Sequence, residues 1–192
     1  MAGRPARRRR RAGPAEPADT QQDLGPSADP ESVARTILLS KLTAQARSRQ
    51  ELADALAAKA VPDDVAERVL DRFEQVGLVD DAAFADLWVR SRQSSRGLSR
   101  RALAHELRAK GIDKELISAS LEQVQPDDEH EAAGRLVQRK LRSTRGLDRP
   151  VRTRRLVGML ARKGHPPGVA LQVVREALAA EESDETADSW TS

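Results

Sequence analysis

The sequence predicts an all-α protein, an elongated array of three tandem three-helix repeats. Three observations lead there. Of the 192 residues, 33% are charged and 2% aromatic, with two Phe, two Trp and no Tyr. Ala, Leu, Arg and Glu dominate, which favour helix, while the aromatic and β-branched residues that sheets draw on are few. The second observation is internal repetition: "SRQELADALAAKAVPDDVAERVLDRF", "SRRALAHELRAKGIDKELISASLEQV" and "RTRRLVGMLARKGHPPGVALQVVREA" superimpose. Leu52, Leu103 and Leu156 coincide, as do Leu56, Leu107 and Leu160, at offsets of 51 and 53 residues. Lys59, Lys110 and Lys163 follow, then Ala60, Gly111 and Gly164, then Val65, Leu116 and Val169. Leu at i and i+4, a basic residue, a turn and a new helix describe a helical hairpin. Third, the same offsets applied upstream align Val33, Phe84 and Val137, and Ile37, Trp88 and Leu141, again one helical turn apart.

Each repeat is therefore one longer helix followed by two shorter ones. The expected helices are 32–46, 49–60 and 63–76, then 81–95, 100–110 and 113–124, then 128–143, 151–163 and 167–181. Ser48 and Glu51 form a capping-box pattern. Asp63 and Asp64, Asp80 and Asp81, and Asp127 and Asp128 place acids where a first helical turn favours them. Gly77, Gly97, Gly111, Gly146 and Gly164 punctuate helix ends. A unit of about 50 residues is small for a complete core, so neighbouring units are expected to share one. The implied organisation is a disordered basic, Pro-rich arm over 1–30, repeats over 31–79, 80–126 and 127–181, and a disordered acidic tail over 182–192.

The net charge of +3 hides strong segregation. Residues 126–180 hold 12 basic against 6 acidic residues, and residues 181–192 hold five acids and no base. Basic charge thus gathers toward the C-terminal end of the array, which suits a polyanionic neighbour. The absence of Cys removes thiolate chemistry and disulfides and fits a reducing cytoplasm. No apolar run approaches the roughly 18 to 20 residues that span a bilayer. The N-terminal Arg7–Arg11 cluster has no apolar stretch behind it, so no secretory signal is expected.

Catalytic constellations are missing. His105, His130 and His165 lie in different repeats, and no phosphate-cradling Gly-rich loop is present. The paired acids read as helix starts, not as a metal site. No catalytic residue, metal or cofactor is expected, and the protein is not expected to be an enzyme. The hairpins have the outline of a DNA-reading helix–turn–helix. Their second helices, however, open on Pro62-Asp63-Asp64, Asp113-Lys114-Glu115 and His165-Pro166-Pro167-Gly168, which offer acids or few donors to base edges.

The cations gather instead at the junction between first and second helices. Arg90, Arg92, Arg96, Arg100 and Arg101 do so in repeat two, and Arg139, Lys140, Arg142, Arg145, Arg152, Arg154 and Arg155 in repeat three. Such a ridge suits phosphates without base specificity, an acidic protein groove, or simply a solvated face. The aromatics pose a separate question, because Phe73, Phe84 and Trp88 fall in one stretch beside Arg90 and Arg92. Phe84 and Trp88 occupy slots held by aliphatics in the other repeats, and Phe73 matches Val124 and Ala177. All three are expected to be core anchors, not a base-stacking platform.

The pattern over residues 48–112 resembles the bacterial RecX family. The residues that carry it are the S-x-x-E-L hairpin at Ser48, "GLVDDAAFA" and "RGLSRRALAHELRAKGI". The repeat extends the likeness from about residue 32 to 181. The resemblance implies a non-enzymatic protein that binds RecA and the RecA–DNA filament; a cytoplasmic monomer with non-specific single- or double-stranded DNA contact is the expectation from composition and charge. The resemblance further implies restraint of ATP hydrolysis, strand exchange and co-protease activity, and so regulation of recombination, DNA repair and the SOS response. The alternatives are a general nucleic-acid-binding protein that competes for single strands, and a scaffold for another acidic partner. The arm and the acidic tail are not part of the family pattern.

Overall fold

The computed structural model describes residues 29–189. Nine α-helices and one short 3-10 turn make up the described residues, with no strand among them. Repeat one contains α1 (Pro30–Ala44), α2 (Arg49–Ala57) and α3 (Asp63–Gln75). Repeat two contains α4 (Asp81–Arg96), α5 (Arg100–Ala109) and α6 (Lys114–Glu122). Repeat three contains α7 (Pro126–Leu141), the 3-10 turn Arg142–Thr144, α8 (Arg149–Arg162) and α9 (Pro167–Ser189). The capping box closes as read, with Ser48 Oγ accepting from Glu51 N and Glu51 accepting from Ser48 N. The predicted arm, with its Arg7–Arg11 run, lies outside the described residues except for its last two.

Two expectations change. The helix predicted to stop at 181 continues to Ser189, through most of the stretch predicted as a disordered tail. The sequence explains it: after Gly168 there is no Gly or Pro to end the helix, and Ala and Glu sustain it. The repeats also do not share a core. Each closes its own, around Leu52, Leu56 and Phe73, around Leu103, Leu107 and Phe84, and around Leu156, Leu160 and Val174. Every extensive helix–helix contact falls within one repeat.

The fully buried pair on the long helices is Ala34 and Leu38, Ala85 and Val89, then Ala133 and Val137. The third pair sits 48 residues beyond the second, whereas the hairpin leucines sit 53 beyond. Repeat three therefore carries five extra residues between its first and second helices, taken up by the 3-10 turn and the longer α8. The upstream alignment at 53 residues is off by five there: Val137 matches Val89, and Leu136 matches Trp88.

The repeats meet at two joints made of the same parts. At the first, the buried Ser48 donates from Oγ to the carbonyl of Lys110, 2.7 Å away. Arg49 N, an unpaired donor of the first turn of α2, is taken by the Asp81 carboxylate of α4 at 2.8 Å. At the second, Ser99 N donates to Lys163 O at 3.1 Å, and Arg100 N to Glu129 of α7 at 2.6 Å. Both joints bring the start of one hairpin against the turn of the next at Gly111 or Gly164, whose φ values are +75° and +87°. A Cβ at Gly111 would lie 2.4 Å from Gln50 Cβ, and one at Gly164 2.5 Å from Ser99 Oγ. Ala60 holds the same turn in repeat one at φ +54°, where no preceding repeat approaches.

Candidate interaction surface

The structure divides the basic ridge read from the sequence. Five of its twelve cations have internal partners. Arg92 and Arg96 face the Glu106 carboxylate at 3.5 and 3.7 Å. Arg100 Nη1 donates to Val124 O at 2.9 Å, tying α5 to the end of α6. Arg145 and Arg152 both clasp Glu181, which is only 7% exposed. Burial alone would raise the Glu181 carboxyl, but hydrogen bonds from Arg145 and Arg152 outweigh it and hold the group below its ordinary value. These arginines pin the start of the acidic stretch of α9 to the insert of repeat three.

The other seven are exposed, with no ion pair among the described residues: Arg90, Arg101, Arg139, Lys140, Arg142, Arg154 and Arg155. Lys140, Arg154 and Arg155 converge on a groove of about 420 Å³ between the end of α7 and α8. Ser143, Thr144, Leu156, Gly158, Met159 and Arg162 complete its walls. Arg162 was absent from the sequence reading, although its spacing carried the signal. Arg155, Met159 and Arg162 stand at i, i+4 and i+7, one face of α8. Four cations without a lining carboxylate can hold phosphate oxygens, and the groove presents no pattern for reading bases.

Phe73 and Phe84 are buried, in the cores of repeats one and two. Trp88 is not a full core residue as expected. Its indole is half-buried beside the first joint, stacked on Phe84 with centroids 5.6 Å apart. The Arg92 guanidinium lies 4.0 Å and the Lys110 ammonium 4.2 Å from its ring centroid. Its Nε1 donates to Glu106 at 2.8 Å. The size of the indole and its polar edge bring it to the surface, where the matching Leu136 of repeat three is buried.

Among the described residues no group of His, Cys, Asp and Glu is placed to hold a metal, and no helix is long and apolar enough to cross a membrane. Serial three-helix units with grooves and exposed cations make this a helical-repeat protein. Comparison with known proteins specifies which kind. The three-helix domain models of RecX match in order, the first at 34–73, the second at 80–121 and the third at 127–174. Regulatory protein RecX of Streptomyces lividans is 55% identical over 159 residues, 83% of this chain and 85% of that one. The Thermobifida fusca protein of the same name is 51% identical over 160 residues, 82% and 86% of the two chains. A crystal structure of RecX from Lactobacillus salivarius superimposes with a TM-score of 0.68 at 19% identity, over 78% of this chain and 97% of that one. A second, titled regulatory protein RecX, gives 0.69 at 25% identity, over 76% and 73%. The chain belongs to the RecX family.

Proposed function

We propose that this protein binds the RecA–DNA filament in the cytoplasm and restrains its ATP hydrolysis, strand exchange and co-protease activity. It thereby regulates recombination, DNA repair and the SOS response. It acts as a monomer, by binding rather than by catalysis. The observation that carries the reading is membership of a family of regulatory proteins, in a chain built of three units at like-built joints. A serial array of similar surfaces suits a partner that is itself a repeating lattice. The exposed cations of repeat three supply sequence-independent affinity for filament DNA. That same groove favours a second reading, competition for single-stranded DNA alone.

Preassembled RecA filaments on single-stranded DNA, given substoichiometric protein, separate the two. Loss of ATP hydrolysis there, with weak binding to naked DNA, is the expected result. Inhibition that begins only when protein suffices to coat the DNA favours competition. Charge reversal at Lys140, Arg154 and Arg155 lowers filament affinity by about tenfold and flattens its salt dependence. Arg152 is left intact in that variant because it holds Glu181.

A further inference from the structure

At the second joint Leu136 seats against Gly97, so closely that a Cβ there would lie 2.9 Å from Leu136 Cδ1. Leu98 is buried beside it, and Ala102 packs toward Gly164. At the first joint the matching residues are Trp88, Ala46, Arg47 and Glu51, and the space between them is open. It forms a groove of about 430 Å³ lined by Ala46, Arg47, Glu51, Trp88, Arg92 and Lys110, among others. A second depression of about 150 Å³ shares Ala46, Arg47, Phe84 and Leu87 with it and adds Leu42 and Leu78. Larger side chains, two of them charged, line this seam, and a trough stands where the other seam is filled.

We propose that this trough is a docking site for a protein segment that presents apolar side chains next to carboxylates. The proposal deepens the function above by assigning a place for contact with the protein component of its partner, and it rests on that reading. Two features specify the occupant. Leu78 and Leu87 are 50% and 53% exposed on the trough's apolar end, large side chains with no partner there. The other end carries the three cations Arg47, Arg92 and Lys110 against the two carboxylates of Glu51 and the adjoining Glu106, a surplus of one positive charge, while Asp80 stands at the apolar end. The Arg92 side chain is 25% exposed, and its nearest carboxylate, Glu106, stands 3.5 Å away, so its ion pairing is incomplete. A carboxylate on the incoming segment completes that pairing.

A nucleobase does not fit these facts. Arg92, Lys110 and Phe84 already surround the Trp88 ring, and a stacked base would have to displace one of them. The chain's own Arg7–Arg11 run carries the wrong charge for the cationic end.

Trp88 reports on the trough directly, because Trp190→Phe leaves it the only tryptophan. The probes are short overlapping peptides spanning the cognate recombinase, an oligo-dT strand, and the protein alone at rising concentration. Apolar–acidic peptides are expected to shift Trp88 emission saturably, and the Leu78→Asp/Leu87→Asp variant to bind them about tenfold more weakly. Basic peptides and oligo-dT are expected to leave the emission unchanged. Leu87→Ser, on an exposed helix face, replaces the double variant if circular dichroism shows that one to have lost helix. The proposal falls if no peptide moves the emission, or if the variants bind as the parent does. It falls equally if oligo-dT or self-association produces the shift. Binding of acidic peptides with no effect on filament ATP hydrolysis leaves the trough standing and removes the proposed function. Filament inhibition without any peptide response does the reverse.

Discussion

The two joints share a polar frame and differ in what fills it. A serine cap, an acid on the next repeat's first turn and a left-handed turn set the register at both. At the second, Leu136, Leu98 and His165 are buried around Gly97. At the first, Arg47, Glu51 and Trp88 are half-buried and ring an open trough. Hydrogen bonds thus fix where neighbouring repeats meet, and apolar filling decides how firmly. Because each repeat has its own core, a joint can loosen without unfolding the units on either side. The chain lacks Cys, so pairs of introduced cysteines can carry labels across either joint.

The largest effects are expected at the left-handed turns. At Gly164 an added Cβ meets Ser99 Oγ, Ala102 Cβ and Ala102 N within 3.1 Å, in a joint with no slack. Gly164→Ala should cost roughly 3 kcal/mol, combining left-handed strain with displaced neighbours. Gly111→Ala meets Gln50 Cβ at 2.4 Å, so the start of α2 must shift, which the open joint allows, and should cost roughly 2 kcal/mol. Ala60→Gly has the opposite sign, since it relieves a φ of +54° at an exposed residue. It should gain roughly 0.5 kcal/mol after the entropy of glycine is subtracted. Urea denaturation measures all three; equal losses at Gly111 and Gly164 would mean that the joints are equally tight.

His165 comes next. It stands where Ile112 and Val61 stand in the other repeats, and its Nε2 lies 3.0 Å from the carbonyl of Gly97. His165→Ala removes that link and opens a cavity, for a loss of roughly 2 kcal/mol. Labels should report widening between repeats two and three and none between one and two. Widening at both would show that the joints are coupled.

Leu52, Leu56 and their equivalents made the fold legible, because spacing at i and i+4 encodes a hairpin within a short window. The joints were half legible. Ser48 announced a cap, but its bond to Lys110 spans 62 residues and leaves no local trace. The insert in repeat three was missed because the hairpin offset was carried into the helix before it. In the surface, charge was readable and pairing was not. Arg145 and Arg152 looked like Arg154 and Arg155 until α9 brought Glu181 beside them. Trp88 followed its alignment onto an apolar slot, but its indole reaches beyond the space an aliphatic residue fills.

The smallest expected effect distinguishes the joints by pH. Burial raises the Glu51 carboxyl, but the hydrogen bond from Lys110 Nζ at 2.6 Å and that from Ser48 N outweigh it and hold the group below its ordinary value. Its contribution is therefore present above the usual Glu range and is lost as pH falls through the lowered value. Asp81 runs the other way. Burial pushes it up despite the hydrogen bond from Arg49 N, so its contribution is full below the usual Asp value and is lost as pH rises through the raised one. The two acids oppose each other, and Glu51→Gln should expose the Asp81 limb alone, with the first joint no longer loosening in acid. Asp81→Asn keeps an acceptor for Arg49 N and should raise stability at neutral pH, a gain that vanishes as Asp81 protonates in the parent. At the second joint Ala102 stands in place of Glu51 and has no proton to take up. Labels across the first joint should therefore separate only as pH falls below the ordinary Glu range, and by an amount that Glu51→Gln removes. Acid loosening that survives Glu51→Gln would rule out the Glu51–Lys110 pair as its cause.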